Sequence, residues 1–227
     1  GAVLLRLERS LHGAVDVVRL GAGPFLTALD ELAAKGESVE VLARSRRGRY
    51  EATLFARAGT GISNVAGLKG HTLALGSLES TISGLHIPAL LGAAGLTTKD
   101  VRVRFLESHT KSVNNVLSGK CEAGVAKEDL FQKEKNRAPG LVAITNVTCV
   151  GMVWVARSGL KPEVVQLFRQ QLLTLHEPAI LDLLPDKPRE VHAIPHYEQT
   201  LKFRSFLDEL RRQDSDMKKL RTMLVTA

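Results

Sequence analysis

Apolar positions recur along the chain at two alternating periods, and the alternation lays out its elements. Leu4, Leu7 and Leu11 share one face of an amphipathic helix over residues 3–11, which His12-Gly13 ends. Residues 14–20 read as a strand, and Gly21-Ala-Gly-Pro-Phe25 reads as a tight turn into a helix that runs to Ala34. Residues 39–43 and 50–58 are extended runs split by the arginine-rich Arg44–Arg49 stretch, read as a solvated hairpin turn. A loop with one short helical turn follows over 59–70, then a buried strand, Thr72-Leu-Ala-Leu75, and a helix over 87–94. Residues 100–106 alternate valine, arginine and phenylalanine in the pattern of a half-buried strand. A helix over 109–118, ended by Gly119-Lys120, precedes a buried strand over 121–126 and a short helix over 127–135. Strands are expected over 141–145 and 149–156 with a break at Asn146, and helices over 162–175, 178–184, 196–211 and 215–224. Pro162 and Pro178 sit at helix starts, where proline is tolerated.

Strands that alternate with helices predict an α/β fold with a parallel-rich sheet covered on both faces. In such sheets ligands bind at the carboxyl ends of the strands. The Gly21–Phe25 turn, the turn after Leu75, the Ser108-His109 turn and the Lys127 region all fall at strand-to-helix junctions. The richest is Leu75-Gly-Ser-Leu-Glu-Ser-Thr-Ile-Ser-Gly-Leu-His-Ile-Pro88, with Ser77, Ser80, Thr81 and Ser83 between a strand and a helix. A helix start leaves backbone N–H groups unpaired and carries partial positive charge, so hydroxyl donors there make an oxyanion site. The same residues also suit an ordinary N-cap, although a cap needs only one hydroxyl.

The 227 residues suffice for one large domain or two small ones, and 44% hydrophobic with 24% charged residues is ordinary for a globular protein. Aromatics at 4% argue against a nucleic-acid stacking platform. The net charge of +7 is compatible with nucleic acid, a membrane surface or an anionic ligand. No apolar run reaches transmembrane length and no signal peptide is visible. Cys121 and Cys149 make neither a disulfide framework nor a metal site, and both read as free thiols. His12, His71, His86, His176, His192 and His196 show no metal-ligand spacing. A serine of the turn with His109 could form a nucleophile and base, but there is no Gly-x-Ser-x-Gly elbow and no acidic partner, so no catalytic residue is assigned.

Five segments, in order, resemble the periplasmic phosphonate-, phosphite- and phosphate-binding proteins of ABC importers. They are Val15–Phe25, Gly67-Leu-Lys-Gly-His-Thr-Leu-Ala74, the serine turn with Pro88 after it, Glu107-Ser-His-Thr110 and Val116-Leu-Ser-Gly-Lys-Cys-Glu-Ala-Gly-Val125. The resemblance implies a type II two-lobe fold joined by two crossing strands, closing on its ligand like a hinged trap. Lobe one would comprise residues 1–57 and 156–227, and lobe two residues 58–155. Thr81, Ile82 and Ser83 align with the family's Ser-Thr-Ser that cradles phosphonate oxygens, and Ser80 stands in for the hydroxyl that Ile82 lacks. His109 aligns with a histidine that donates to the same oxygens, and Phe25 with a tyrosine that contacts ligand. Lys127 stands where many members carry an aspartate that receives a ligand's amino group. A lysine there disfavours an ammonium and favours more negative charge, so the ligand expected is phosphate, phosphite or a plain alkylphosphonate rather than 2-aminoethylphosphonate.

The resemblance also implies a permease partner in the membrane, a periplasmic location, a monomer, no cofactor, no metal, no nucleic acid and no enzymatic activity. A ligand-sensing receptor domain of the same fold, or a binding protein for sulfonate or arsenite, is the alternative. Family members begin with a strand and helix before the segment matched from residue 4, and that unit is expected to be missing here. The charged 198–224 stretch reads as a helix pair on lobe one or a helix leading to a further module.

Overall fold

The structure is a computed structural model that describes residues 16–45, 49–78, 80–175, 177–181 and 191–193. The helices expected over 3–11, 196–211 and 215–224, and the end of the one over 178–184, lie outside the described residues. The chain forms two compact units, which divide between Arg49 and Tyr50 and again between Cys149 and Val150.

The first unit holds β1 (Val17–Leu20), α1 (Ala22–Ala34), β2 (Val39–Ser45), β8 (Val153–Arg157), α5 (Pro162–Thr174), α6 (Pro178–Leu181) and β9 (Val191–Ala193). Its sheet runs β1-β8-β2-β9. Every pairing in it is antiparallel, which corrects the parallel-rich expectation for this half: β8 runs opposite to both β1 and β2, and β9 opposite to β2. Hydrophobic alternation identifies a strand but not its partner or direction. The stretch at Gly21 is a helix N-cap rather than a separate turn: Phe25 N–H already donates to Gly21 O at 2.9 Å, and Pro24 falls in the first turn, where its missing N–H costs nothing. Strand β9 is only three residues long and was not expected from the sequence.

The second unit holds β3 (Arg49–Arg57), β4 (Thr72–Leu75), α2 (Ile87–Ala93), β5 (Arg102–Phe105), α3 (His109–Leu117), β6 (Ala123–Lys127), α4 (Glu128–Arg137) and β7 (Leu141–Val150). Its sheet runs β5-β4-β6-β3-β7, with β4 parallel to both β5 and β6 and β3 antiparallel to β6. β2 and β3 lie in different sheets and do not pair with each other, which corrects the expectation of a hairpin between them. Side chains alternate strictly across this sheet. Ala52, Leu54, Ala56, Leu73, Leu75, Ala123 and Val125 enter one core with Ile82, Ile87 and Leu91, while Phe55, Ala74 and Ala126 enter the other with Val113, Val116 and Phe131. Helices therefore cover both faces, as expected of a doubly wound sheet.

Strand β5 is an edge: Val101 just before it and Val103 pack on the core while Arg102 and Arg104 are exposed, as the half-buried reading expects, and Phe105 departs from it by being exposed. Charged arginines on an edge strand discourage pairing with another chain. Strand β7 runs unbroken through Asn146. The short helical turn in the loop after β3 is the 3-10 turn Ala66–Leu68. Both cysteines are buried and free, Cys149 in the first of the two cores and Cys121 in the second.

Candidate functional site

The parallel strands β5, β4 and β6 bring three strand-to-helix junctions to one end of the second unit's sheet. The turn after β4 starts a helix earlier than expected. Ser80 is the N-cap, a π-helical turn Thr81–His86 follows, and α2 continues from it. Ser80 Oγ accepts from Ser83 N–H at 3.5 Å, which is the cap the sequence pattern called for. Ser83 is fully buried, and its Oγ accepts from Gly76 N–H at 2.9 Å, so the hydroxyl proton is left to donate elsewhere. Ile82 turns inward and packs in the core, anchoring the turn. Thr81 is buried, and its hydroxyl hydrogen-bonds the Tyr50 phenol.

His109 opens α3 after the N-cap Ser108, whose Oγ accepts from Lys111 N–H at 3.2 Å. Gly76 joins this junction to the serine turn. A Cβ placed on Gly76 would lie 3.2 Å from Ser83 Oγ and 3.3 Å from both Nδ1 and Cε1 of His109, so only a glycine lets the two side chains close over the strand end. His109 Nδ1 lies 3.3 Å from the Val125 carbonyl on β6. Burial, and then the charge of Lys127, hold the imidazole below its ordinary pKa, against the Val125 carbonyl and Asp129.

Lys127 ends β6 and caps α4, and its ammonium sits 5.1 Å from the centroid of the Tyr50 ring. Tyr50 arrives there because β3 runs antiparallel to β6, with Ala52 opposite Lys127. Burial, the Cys149 charge and a hydrogen bond to Cys149 raise the phenol's pKa, and Thr81 acts the other way. Burial also pushes the Cys149 thiol up to about 12, with Glu51 adding to it and the Tyr50 hydrogen bond and Lys127 opposing. The thiol is therefore protonated and unreactive at neutral pH.

Behind the site, fully buried Ser112 ties α3 to two strands. Its hydroxyl donates to Ala74 O at 2.8 Å and accepts from Val125 N–H at 3.1 Å. The helix can approach this closely because β6 has Gly124, where a Cβ would meet Ser112 Oγ at 2.8 Å and Val116 at 2.9 Å.

Of the residues singled out in the sequence, Ser80, Thr81, Ile82, Ser83, His109 and Lys127 thus belong to one end of one sheet. Phe25 lies in the first unit, fully buried in that unit's own core with Leu20, Leu26, Val153 and Val155. Tyr50, Gly76 and Ser112 had not been singled out. Among the described residues no group of three or more His, Cys, Asp or Glu could hold a metal ion, and no helix is long and apolar enough to cross a membrane.

Two mixed α/β units with these junctions are the fold of type II periplasmic binding proteins, and solved structures share it. PhnD1 from Prochlorococcus marinus, solved in complex with methylphosphonate, matches with a TM-score of 0.73 at 18% identity over 92% of this chain and 83% of that one. A binding protein component of an ABC phosphonate transporter from Pseudomonas aeruginosa matches at 0.70 and 17% over 99% and 82%. The periplasmic aliphatic sulphonate binding protein SsuA from Escherichia coli matches at 0.58 and 15% over 97% and 70%. The family model described as "ABC transporter, phosphonate, periplasmic substrate-binding protein" matches residues 7–191. The chain belongs to this family, whose members are transport binding proteins that capture solute for an ABC importer.

Proposed function

We propose that the carboxyl end of the second unit's sheet holds the ligand, a small phosphorus oxyanion without an amine, for delivery to a membrane permease outside the cytoplasm. Ser83 donates its hydroxyl proton to the anion, and Ser80 and the N–H groups at the start of the π-helical turn add partial positive charge. Thr81 and Tyr50 form a hydroxyl pair whose hydrogens can rotate, so a proton can be turned from one to the other or to the ligand. Lys127 supplies a full positive charge beside them and repels an ammonium. The two units would serve as the two lobes of the trap. The observation that carries this reading is the closure of Ser83 and His109 over Gly76, which joins two junctions far apart in sequence.

A thermal-shift panel of phosphate, phosphite, methylphosphonate, 2-aminoethylphosphonate and sulfate tests it. An anion at a hundred times its dissociation constant adds about 2.7 kcal/mol of stability. The expected result is a shift with at least one amine-free phosphorus anion and a smaller one with 2-aminoethylphosphonate. Thr81→Ala/Ser83→Ala should abolish the shift. A variant that keeps full affinity would reduce the turn to a helix cap.

A further inference from the structure

One hydrogen bond decides what His109 has to offer. Its Nδ1 faces the Val125 carbonyl at 3.3 Å, and a carbonyl only accepts, so Nδ1 carries a proton. In the neutral ring Nε2 is then the lone-pair acceptor. The charges that bear on the ring are Lys127 at the end of β6 and Asp129 in the first turn of α4. On its own helix Lys111 is held by Glu107 at 2.6 Å, and among the described residues of the turn after β4 the uncharged Gly76 and Ser83 lie against the ring. Burial and Lys127 favour the neutral imidazole over the imidazolium.

We infer that His109 accepts, through Nε2, the proton of a phosphorus–hydroxyl group, so that the site selects hydrogen-phosphonate monoanions over sulfonates, which offer similar oxygens but no proton. This rests on the placement of His109 at the ligand proposed above, and it reverses the role that the family resemblance implies, from donor to acceptor.

The complex holds one proton between Nε2 and a phosphonate oxygen, on whichever side it rests. Above the ligand's second pKa the free partners are a dianion and a neutral imidazole, one proton short of that. Binding then takes up a proton, and the dissociation constant rises tenfold per pH unit. Below the imidazole's own pKa the free partners are a monoanion and an imidazolium, with one proton too many, and affinity falls again. A sulfonate can pair only with the imidazolium, so its affinity rises as pH falls through neutrality. Between the imidazole's pKa and the phosphonate's second pKa the phosphonate's affinity is therefore flat while the sulfonate's still rises as pH falls, and that window separates the two ligand classes.

Calorimetric titration of the chain with methylphosphonate and with methanesulfonate, between about pH 6 and pH 9 in buffers of different ionisation heat, reads both slopes and the proton count. The expected result is uptake of one proton and a tenfold weakening per unit for methylphosphonate above its second pKa, with methanesulfonate at least about a hundredfold weaker at neutral pH. His109→Gln, which puts an amide donor near the same place, should lose both the slope and most of the phosphonate-over-sulfonate preference while melting normally. Methylphosphonate affinity that stays flat above its second pKa, methanesulfonate within a few-fold of it at neutral pH, or an unchanged preference in a folded His109→Gln overturns the inference and leaves phosphonate binding standing. No heat with methylphosphonate, phosphite or phosphate overturns the ligand reading and this inference together.

Discussion

Gly76 controls how near Ser83 and His109 come to each other. A methyl group there would lie 3.2–3.3 Å from both, tight enough that one of them has to give way by a few tenths of an ångström. Gly76→Ala should leave the fold intact, because the neighbours are side chains at a strand end rather than packed backbone. It should weaken phosphonate binding by about tenfold, the equivalent of some 1.4 kcal/mol. Calorimetry checks the affinity and a thermal melt checks the fold; an unaltered dissociation constant would mean that the two side chains do not act on one ligand. That the hydroxyls and His109 stand at strand-to-helix junctions was legible in the sequence, whereas Lys127 was singled out through the family resemblance alone. Gly76 and Tyr50 were not. A glycine announces no close approach, and Tyr50 meets Lys127 only through the antiparallel register of β3 on β6, with Ala52 opposite Lys127.

At the scale of elements, α3 is the part that aims His109, and Ser112 fixes α3 to the sheet. Ser112→Ala would leave Ala74 O and Val125 N–H without their side-chain partner in a fully buried place. Each such loss costs about 1–3 kcal/mol, so urea unfolding should show a destabilisation in that range. A change near zero would mean that the helix is held by packing of Val113 and Val116 alone. Ser112 was hard to see because one small polar residue on the buried face of a helix carries no periodic signal. The strands of the second unit were legible because their alternation is strict. The start of the helix after β4 was hidden by Pro88, which cannot donate to a carbonyl one turn back; the wider π-helical turn Thr81–His86 precedes it, so the helix begins before the residue that looks like its punctuation. Asn146 misled in the other direction. A residue common in turns is carried inside β7.

At the scale of the whole molecule, the α/β class and the family were legible from five short segments in order, whereas the sheets' pairings were not. Directions of pairing depend on contacts between distant segments, and β8 entering between β1 and β2 is such a contact. The chain's net charge of +7 fits a protein that collects anions, since a positive field raises the local concentration of its ligand. The central claim is one of place: the phosphorus anion sits at the carboxyl ends of β4, β5 and β6. A crystal structure of the chain with methylphosphonate measures this most directly. The account predicts phosphonate oxygens within hydrogen-bond distance of Ser83 Oγ and His109 Nε2, with the methyl group away from Lys127. Phosphonate density that touches neither Ser83 nor His109 would contradict it.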